Sequence, residues 1–318
     1  MLEKKEKRRK RTVELANFNC VFGDTNEPLL SHFTDILYPA FTSLQNIRYS
    51  DGYFSFDEVK IIEHPVLGLV LTGIFIKQTE LEILSQKDHL TGKLIFTNQK
   101  YQTAPYSVFS IFLKNHRMIF YKNQKGSPRL STFQKISEKM ISNFLAEQNK
   151  DVDYQLRLPG AHITILPLPS RKNLKEQLSF IKKIDSVEYK LTPLNGDNDY
   201  KFPMQGLLQQ LNDLDSKQAN LKFTNPSNKE EVINQIEQTR DLAKAKVIGY
   251  TNTGNLVTIT EKNFAEKVYI DLPINSSNKE ILDSMYTVAE NHAALLETSD
   301  TNEKIYQQRI DDIKSLMR

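Results

Sequence analysis

Three His-x-Thr triplets, His32-Phe-Thr34, His89-Leu-Thr91 and His162-Ile-Thr164, are the residues of this chain best suited to acid–base chemistry on a phosphate. An imidazole can give or take a proton near neutral pH, and a hydroxyl two residues on can hold a phosphate oxygen. Two triplets work together only if both rings reach one phosphate. His162 opens a strand, His89 follows the Lys87-Asp88 turn, and His32 falls on an apolar-striped helix. The working pair is therefore His89 with His162, supported by Thr91 and Thr164.

Paired triplets of this kind resemble the two-histidine phosphoesterases, and the resemblance implies a phosphodiesterase with one ring as base and the other as acid. A second spacing, Glu-x-Lys, occurs at Glu58-Val-Lys60 and Glu188-Tyr-Lys190. Strand alternation would put both side chains on one face, similar to metal-dependent nucleases that hold Mg²⁺ and activate water there. Asp51 or Asp35 would have to supply the further ligand at the first site, and no Pro-Asp precedes it. The single cysteine, Cys20, cannot form an internal disulfide and reads as core packing. The sequence has no phosphate loop, dinucleotide fingerprint, paired-Cys or His-Glu-x-x-His spacing, or Gly-x-Ser-x-Gly elbow. The leading expectation is a non-enzymatic binding protein with no metal and no cofactor; the phosphodiesterase is the alternative.

Charge suggests what would be bound. Residues 3–11 hold seven Lys/Arg and two Glu, a net of +5, so the formal +3 of the whole chain leaves the remainder at −2. Lys4, Lys5, Lys7, Arg8, Arg9, Lys10 and Arg11 form an expected disordered tail able to condense on phosphates, or one that only aids solubility. A second basic stretch runs through Lys114, Arg117, Lys122, Lys125 and Arg129. On an exposed hairpin, Tyr121 could stack on a base between these cations. Alternatively, Ile119 and Tyr121 face the core and the charges protect an edge strand.

The elements that must position these groups follow from periodicity. Val13 to Phe22 reads as a strand, residues 28–41 as a helix, and 53–62 with 66–76 as a hairpin. Residues 108–113 and 118–121 form a second hairpin, followed by a helix opened by a Ser131–Gln134 capping box. Beyond a polar linker near 150, strands and helices alternate: strands at 162–168, 187–191, 220–223, 246–250, 256–260 and 268–272, with a Ser227–Glu230 capping box at one helix. The expected fold is α+β, with mixed, partly parallel sheets covered by helices in two domains, 12–150 and 151–275. A helical pair over 276–318 opens with a capping box at Ser277–Glu280, and its apolar stripe folds back on the body or forms an oligomer or partner surface. The longest apolar run, Val66–Ile76, is too short for a spanning helix, and cytoplasm is the expected compartment.

The Asn-His-Arg-hydrophobic hairpin after Ala104-Pro-Tyr106, together with a composition rich in Lys, Asn and Ile, resembles uncharacterised bacterial proteins of phage-defence and mobile-element loci. That resemblance implies a nucleic-acid-associated binding or assembly component of an antiviral-defence system. A purely structural oligomer with an inert tail is the remaining alternative.

Overall fold

The computed structural model describes residues 8–195, 204–239 and 242–317. Its class is α+β, built on two sheets, and every pairing among the described strands is antiparallel, so the expected parallel portion is absent there. The strands are β1 (Arg8–Phe22), β2 (Glu27–Pro28), β3 (Ile47–Tyr49), β4 (Gly52–His64), β5 (Gly68–Lys87), β6 (Leu94–Thr103), β7 (Tyr106–Phe112), β8 (Arg117–Lys122), β9 (Ala161–Pro167), β10 (Ile181–Leu191), β11 (Ala219–Thr224), β12 (Ala243–Thr251), β13 (Leu256–Thr260) and β14 (Lys267–Pro273). The helices are α1 (Tyr38–Thr42), α2 (Leu130–Gln148), α3 (Arg171–Ser179), α4 (Gln205–Asp213), α5 (Lys229–Gln238), α6 (Glu261–Phe264), α7 (Asn278–Glu290), α8 (Ala293–Leu296) and α9 (Asp300–Lys314).

The large sheet runs β14-β1-β8-β7-β5-β4-β3, with β2 and β9 also on β1 and β6 on β5. Both of its faces are covered, which is why β5 and β7 read as continuous apolar runs rather than alternating ones. On one face, α2 drives Phe133 among Phe18, Phe41, Phe56, Phe75, Phe109 and Phe120, with ring centroids 4.9 to 6.3 Å away. On the other, α7 buries Ile281, Met285, Tyr286 and Ala289 against Val13, Leu15, Val108, Phe112 and Tyr121. Tyr306 and Ile313 of α9 join the Phe133 side. Much of the stripe over 278–317 is thus used inside the chain, while Leu296 stays exposed. At Gly68, φ is +72° and a Cβ would stand 2.7 Å from Tyr306 Oη, so this hairpin corner needs glycine for α9 to dock.

The small sheet, β11-β10-β12-β13, carries α3, α4 and α5 on one face, where Val187, Tyr189, Leu191, Ala245 and Val247 meet Leu174, Leu178, Leu208, Leu211, Val232, Ile233 and Ile236. Among the described residues, no helix of that core lies on the opposite face, which includes Glu188, Lys190, Lys244 and Lys246.

Several expected boundaries move. The border near residue 150 is crossed, because β9 pairs with the second half of β1 and β14 with its first half. Arg8 to Arg11 are not tail: they pair with Pro273 to Ile270, since β14 offers them a strand edge. Lys4, Lys5 and Lys7 lie outside the described residues. The Ser277–Glu280 capping box forms. At α5 the cap is instead Asn228, accepting from the Glu231 amide. At α2 Gln134 does not cap, because its amide is engaged with β9.

Candidate functional site

The two sheets face each other across an open cleft of about 850 Å³. One wall comes from the β1–β2 turn, the loop before β9, and β9 itself. Strand β9 has β1 on one edge, and α2 occupies the other with two side chains one turn apart. Gln134 Nε2 donates to the Ile163 carbonyl at 2.8 Å, its Oε1 accepts from the Ile165 amide at 3.2 Å, and Glu138 accepts from the Ile163 amide at 3.1 Å. These side chains act as a neighbouring strand would, and they fix His162 and Thr164 on the cleft wall. The His162 ring is exposed, with Nε2 3.5 Å from Thr164 Oγ1 and Nδ1 3.8 Å from Glu138. Beside it stands Tyr154, 84% exposed, with the Arg157 guanidinium 6.0 Å from the ring centroid.

The opposite wall is the end of the small sheet. Asn19 Nδ2 donates to the Pro193 carbonyl at 2.7 Å, and the Leu29 amide donates to Asn195 Oδ1 at 2.5 Å; both bonds are buried and tie this wall to the large sheet. Here Lys190 stands directly opposite Lys244 on the neighbouring strand, and Asn220 flanks Lys190 on the other side. Two residues along the same face, Glu188 occupies the equivalent position between Lys222 and Lys246, pairing with both at 3.1 and 2.9 Å. Those two lysines hold the Glu188 carboxyl below its ordinary pKa. The row at 190 has no such acid. Like charges directly opposite destabilise a sheet, and among the described residues neither Lys190 nor Lys244 pairs with a carboxylate. Among the described residues, the cleft lining holds four Lys and Arg, with Lys217 and Arg157, against one carboxylate, Asp24.

His89 and Thr91 sit at the tip of the β5–β6 hairpin, away from the cleft that holds His162 and Thr164, so the histidine pair is not assembled. Thr91 there bonds the Asp88 carboxylate. His32 is held by Glu27 and Asp35, at 3.1 and 3.0 Å. Glu58 lies at a bulge with φ +50°, which breaks the one-face geometry with Lys60, while Asp51 is paired to Lys77. Among the described residues no cluster of three or more His, Cys, Asp or Glu could hold a metal. Cys20 is fully buried in β1 and burial pushes its thiol pKa up, away from nucleophilic use.

The basic hairpin is corrected more sharply. Tyr121 is 2% exposed and cannot stack on a base, and Arg117 is buried. Lys114 is paired to Glu303 at 2.9 Å and Lys122 to Glu14 at 2.6 Å. The Asn-His-Arg turn itself is structural, since Asn115 Nδ2 donates to the carbonyls of Leu295 and Glu297 and so clamps α8 onto the body. Lys125 and Arg129 remain exposed, as do Arg9 and Lys10, while Arg8 pairs with Asp271 and Lys10 lies over Tyr269. Residue types and spacing missed Tyr154, Arg157, Lys190, Lys217 and Lys244 as a group. Only the alternation that puts Glu188 and Lys190 on one face pointed toward it.

Fold and cleft together define an α+β protein with a basic groove between two antiparallel sheets. The family described as Domain of unknown function (DUF4747) matches residues 11–287, and the chain belongs to that family. Comparison with curated proteins finds no match. Among the described residues no helix is long and apolar enough to cross a membrane.

Proposed function

We propose that the chain is a nucleic-acid-binding component that acts by holding a phosphate backbone in the cleft between its sheets. The observation that carries this reading is the Lys190–Lys244 cross-strand pair, a costly arrangement that an anion between the two ammonium groups would relieve. Lys217 and Arg157 extend the positive surface, and Tyr154 offers a ring on which a base can stack. A groove of this size suits a single strand, whose bases are free to stack. The setting proposed is a cytoplasmic antiviral-defence or mobile-element one, supported by the sequence resemblance alone.

Fluorescence anisotropy with a labelled single-stranded oligonucleotide, titrated at several salt concentrations, tests the reading. Affinity is expected to fall steeply with salt, and a Lys190→Ser/Lys244→Ser variant to lose at least about ten-fold, with a salt slope shallower by about 1.4. Absence of salt-dependent binding, or equal affinity in that variant, would reject the proposal. Turnover of the oligonucleotide that disappears in His162→Ala would favour the phosphodiesterase alternative instead.

A further inference from the structure

The first half of β5 belongs to the large sheet, pairing with β4 as far as Gln78 and with β7 as far as Ile76. From Thr79 onward its only partner among the described strands is β6, so residues 79–103 leave the body as a two-stranded arm. Nine residues of strand, Thr79 to Lys87, carry it about 30 Å outward at about 3.3 Å per residue. No residue of the arm belongs to any of the three cores. An isolated two-stranded hairpin is marginal in water, and this one exposes large apolar side chains, Phe96 at 80% and the tip residue Leu90 at 96%.

Most of the arm's apolar strand residues fall on one face. The register pairs Leu81 with Tyr101 and Ile83 with Gln99, then shifts, so that Ser85 meets Phe96 and Lys87 meets Leu94. Alternation along β5 therefore places Leu81, Ile83, Tyr101, Phe96 and Leu94 together. Without the extra residue in β6, Phe96 and Leu94 would point to the opposite side, because a single-residue slip reverses every side chain beyond it. The opposite side holds Glu80, Glu82, Gln86, Lys100 and Gln102, with a Lys100–Glu80 ion pair, besides Leu84 and Ile95.

We infer that this apolar face is a homodimer interface, packing on the same face of a second copy about a two-fold axis. Three lysines (87, 93 and 100) balance three acids (80, 82 and 88), so the arm has no net charge to draw a polyanion or an anionic membrane. Apolar burial remains as the driving force, and a self-complementary patch satisfies it with an identical copy. Five large side chains and the tip leucine present on the order of 600 Å² per arm, or on the order of 1,200 Å² for two, where specific interfaces begin.

Sedimentation velocity of the full chain over a wide concentration range tests this. A dimer is expected, with Phe96→Asp raising its dissociation constant at least about thirty-fold, the loss of one hot-spot contact. Leu84→Asp, on the other face, is expected to leave the dimer intact. A chain that stays monomeric throughout, a dimer indifferent to Phe96→Asp, or one broken equally by Leu84→Asp would overturn the inference. If Phe96→Asp misfolds, replacing residues 80–102 with a short Gly-Ser turn must yield a folded monomer, because the three cores do not use the arm; a folded dimer there would overturn it as well. Oligonucleotide affinity of the monomeric variants reads the cleft separately from the arm.

Discussion

The β7–β8 hairpin and its flank bring five Lys and Arg between residues 114 and 129, and the cleft brings four from separated places in the chain. In sequence the hairpin is the stronger basic signal. In space the order reverses. Lys114 and Lys122 face Glu303 and Glu14, and Arg117 and Tyr121 are buried beneath α7 and α8. At the cleft, Lys190 and Lys244 face each other, while the acid two residues away on the same strand is engaged with Lys222 and Lys246. The number of basic side chains therefore matters less than whether each has a carboxylate within reach. At the hairpin, Lys114 and Asn115 hold the C-terminal helices and Lys122 is engaged by β1, whereas at the cleft Lys190 and Lys244 have no carboxylate partner among the described residues.

The largest effect that could break this contrast is at Tyr121. As a core residue, Tyr121→Ala should cost about 3–5 kcal/mol in urea unfolding, typical of an aromatic removed from a packed interior. The affinity of the folded fraction for a labelled single strand should be unchanged. Lost affinity with unchanged stability would return Tyr121 to the role of a stacking platform.

His116 sharpens the same point through pH. Burial lowers its pKa from 6.5 to about 3. The unfolded chain takes a proton near 6.5 and the folded chain only near 3, so between these values the unfolded state binds more protons and stability falls as pH falls. This contribution is fully present above 6.5 and reaches a slope of up to about 1.4 kcal/mol per pH unit on acidification. His116 has φ +58°, which asparagine tolerates, so His116→Asn should remove the slope and keep the turn. Thermal melts of both proteins from neutral to acid pH check this; parallel curves would show that the turn does not bury its histidine in solution.

Much of the fold was legible because its periodicities are clean. The strands at Val13–Phe22 and His162–Leu168, both hairpins of the first half, and the 277 capping box all follow from alternation or cap chemistry that packing then reinforces. The arm was not legible. Its apolar residues are exposed, and the shift between Ile83 and Ser85 hides in the sequence the common face that it creates in space. The ends of β1 were obscured differently. Arg8 to Arg11 read as solvated charge, yet a strand edge contributed by residues 270–273, far along the chain, recruits their backbone. The cleft failed to show because Tyr154, Arg157, Lys190, Lys217 and Lys244 lie on four separate segments, and because a lysine's availability depends on cross-strand neighbours that no local window contains.

A smaller change would test the cleft side of the contrast by supplying the missing acid. Asn220 lies directly opposite Lys190, as Lys222 does opposite Glu188. Asn220→Asp should therefore give Lys190 a carboxylate partner and lower the row from +2 to +1, weakening oligonucleotide binding about five-fold, equivalent to about 1 kcal/mol, with stability unchanged or slightly raised. Glu188→Gln should act in the opposite sense, freeing Lys222 and Lys246 and steepening the salt dependence. If both variants bind like the parent, the small sheet is not the surface that meets phosphate.

The least perturbing variant is Lys122→Ala on the hairpin. Its ammonium lies 2.6 Å from Glu14, with both groups partly exposed. An ion pair of that kind contributes up to about 1 kcal/mol and is weakened by salt, so a small loss of stability is expected, seen best in low-salt melts. Binding is where the two regions part. With Lys122 already engaged by Glu14, its removal should leave both the affinity for a single strand and its salt slope unchanged. If the hairpin were the contact surface, the same substitution would lower the slope by about 0.7, one phosphate contact on a single strand. A slope change at Lys122 without one at Lys190 would transfer the interface from the cleft back to the hairpin.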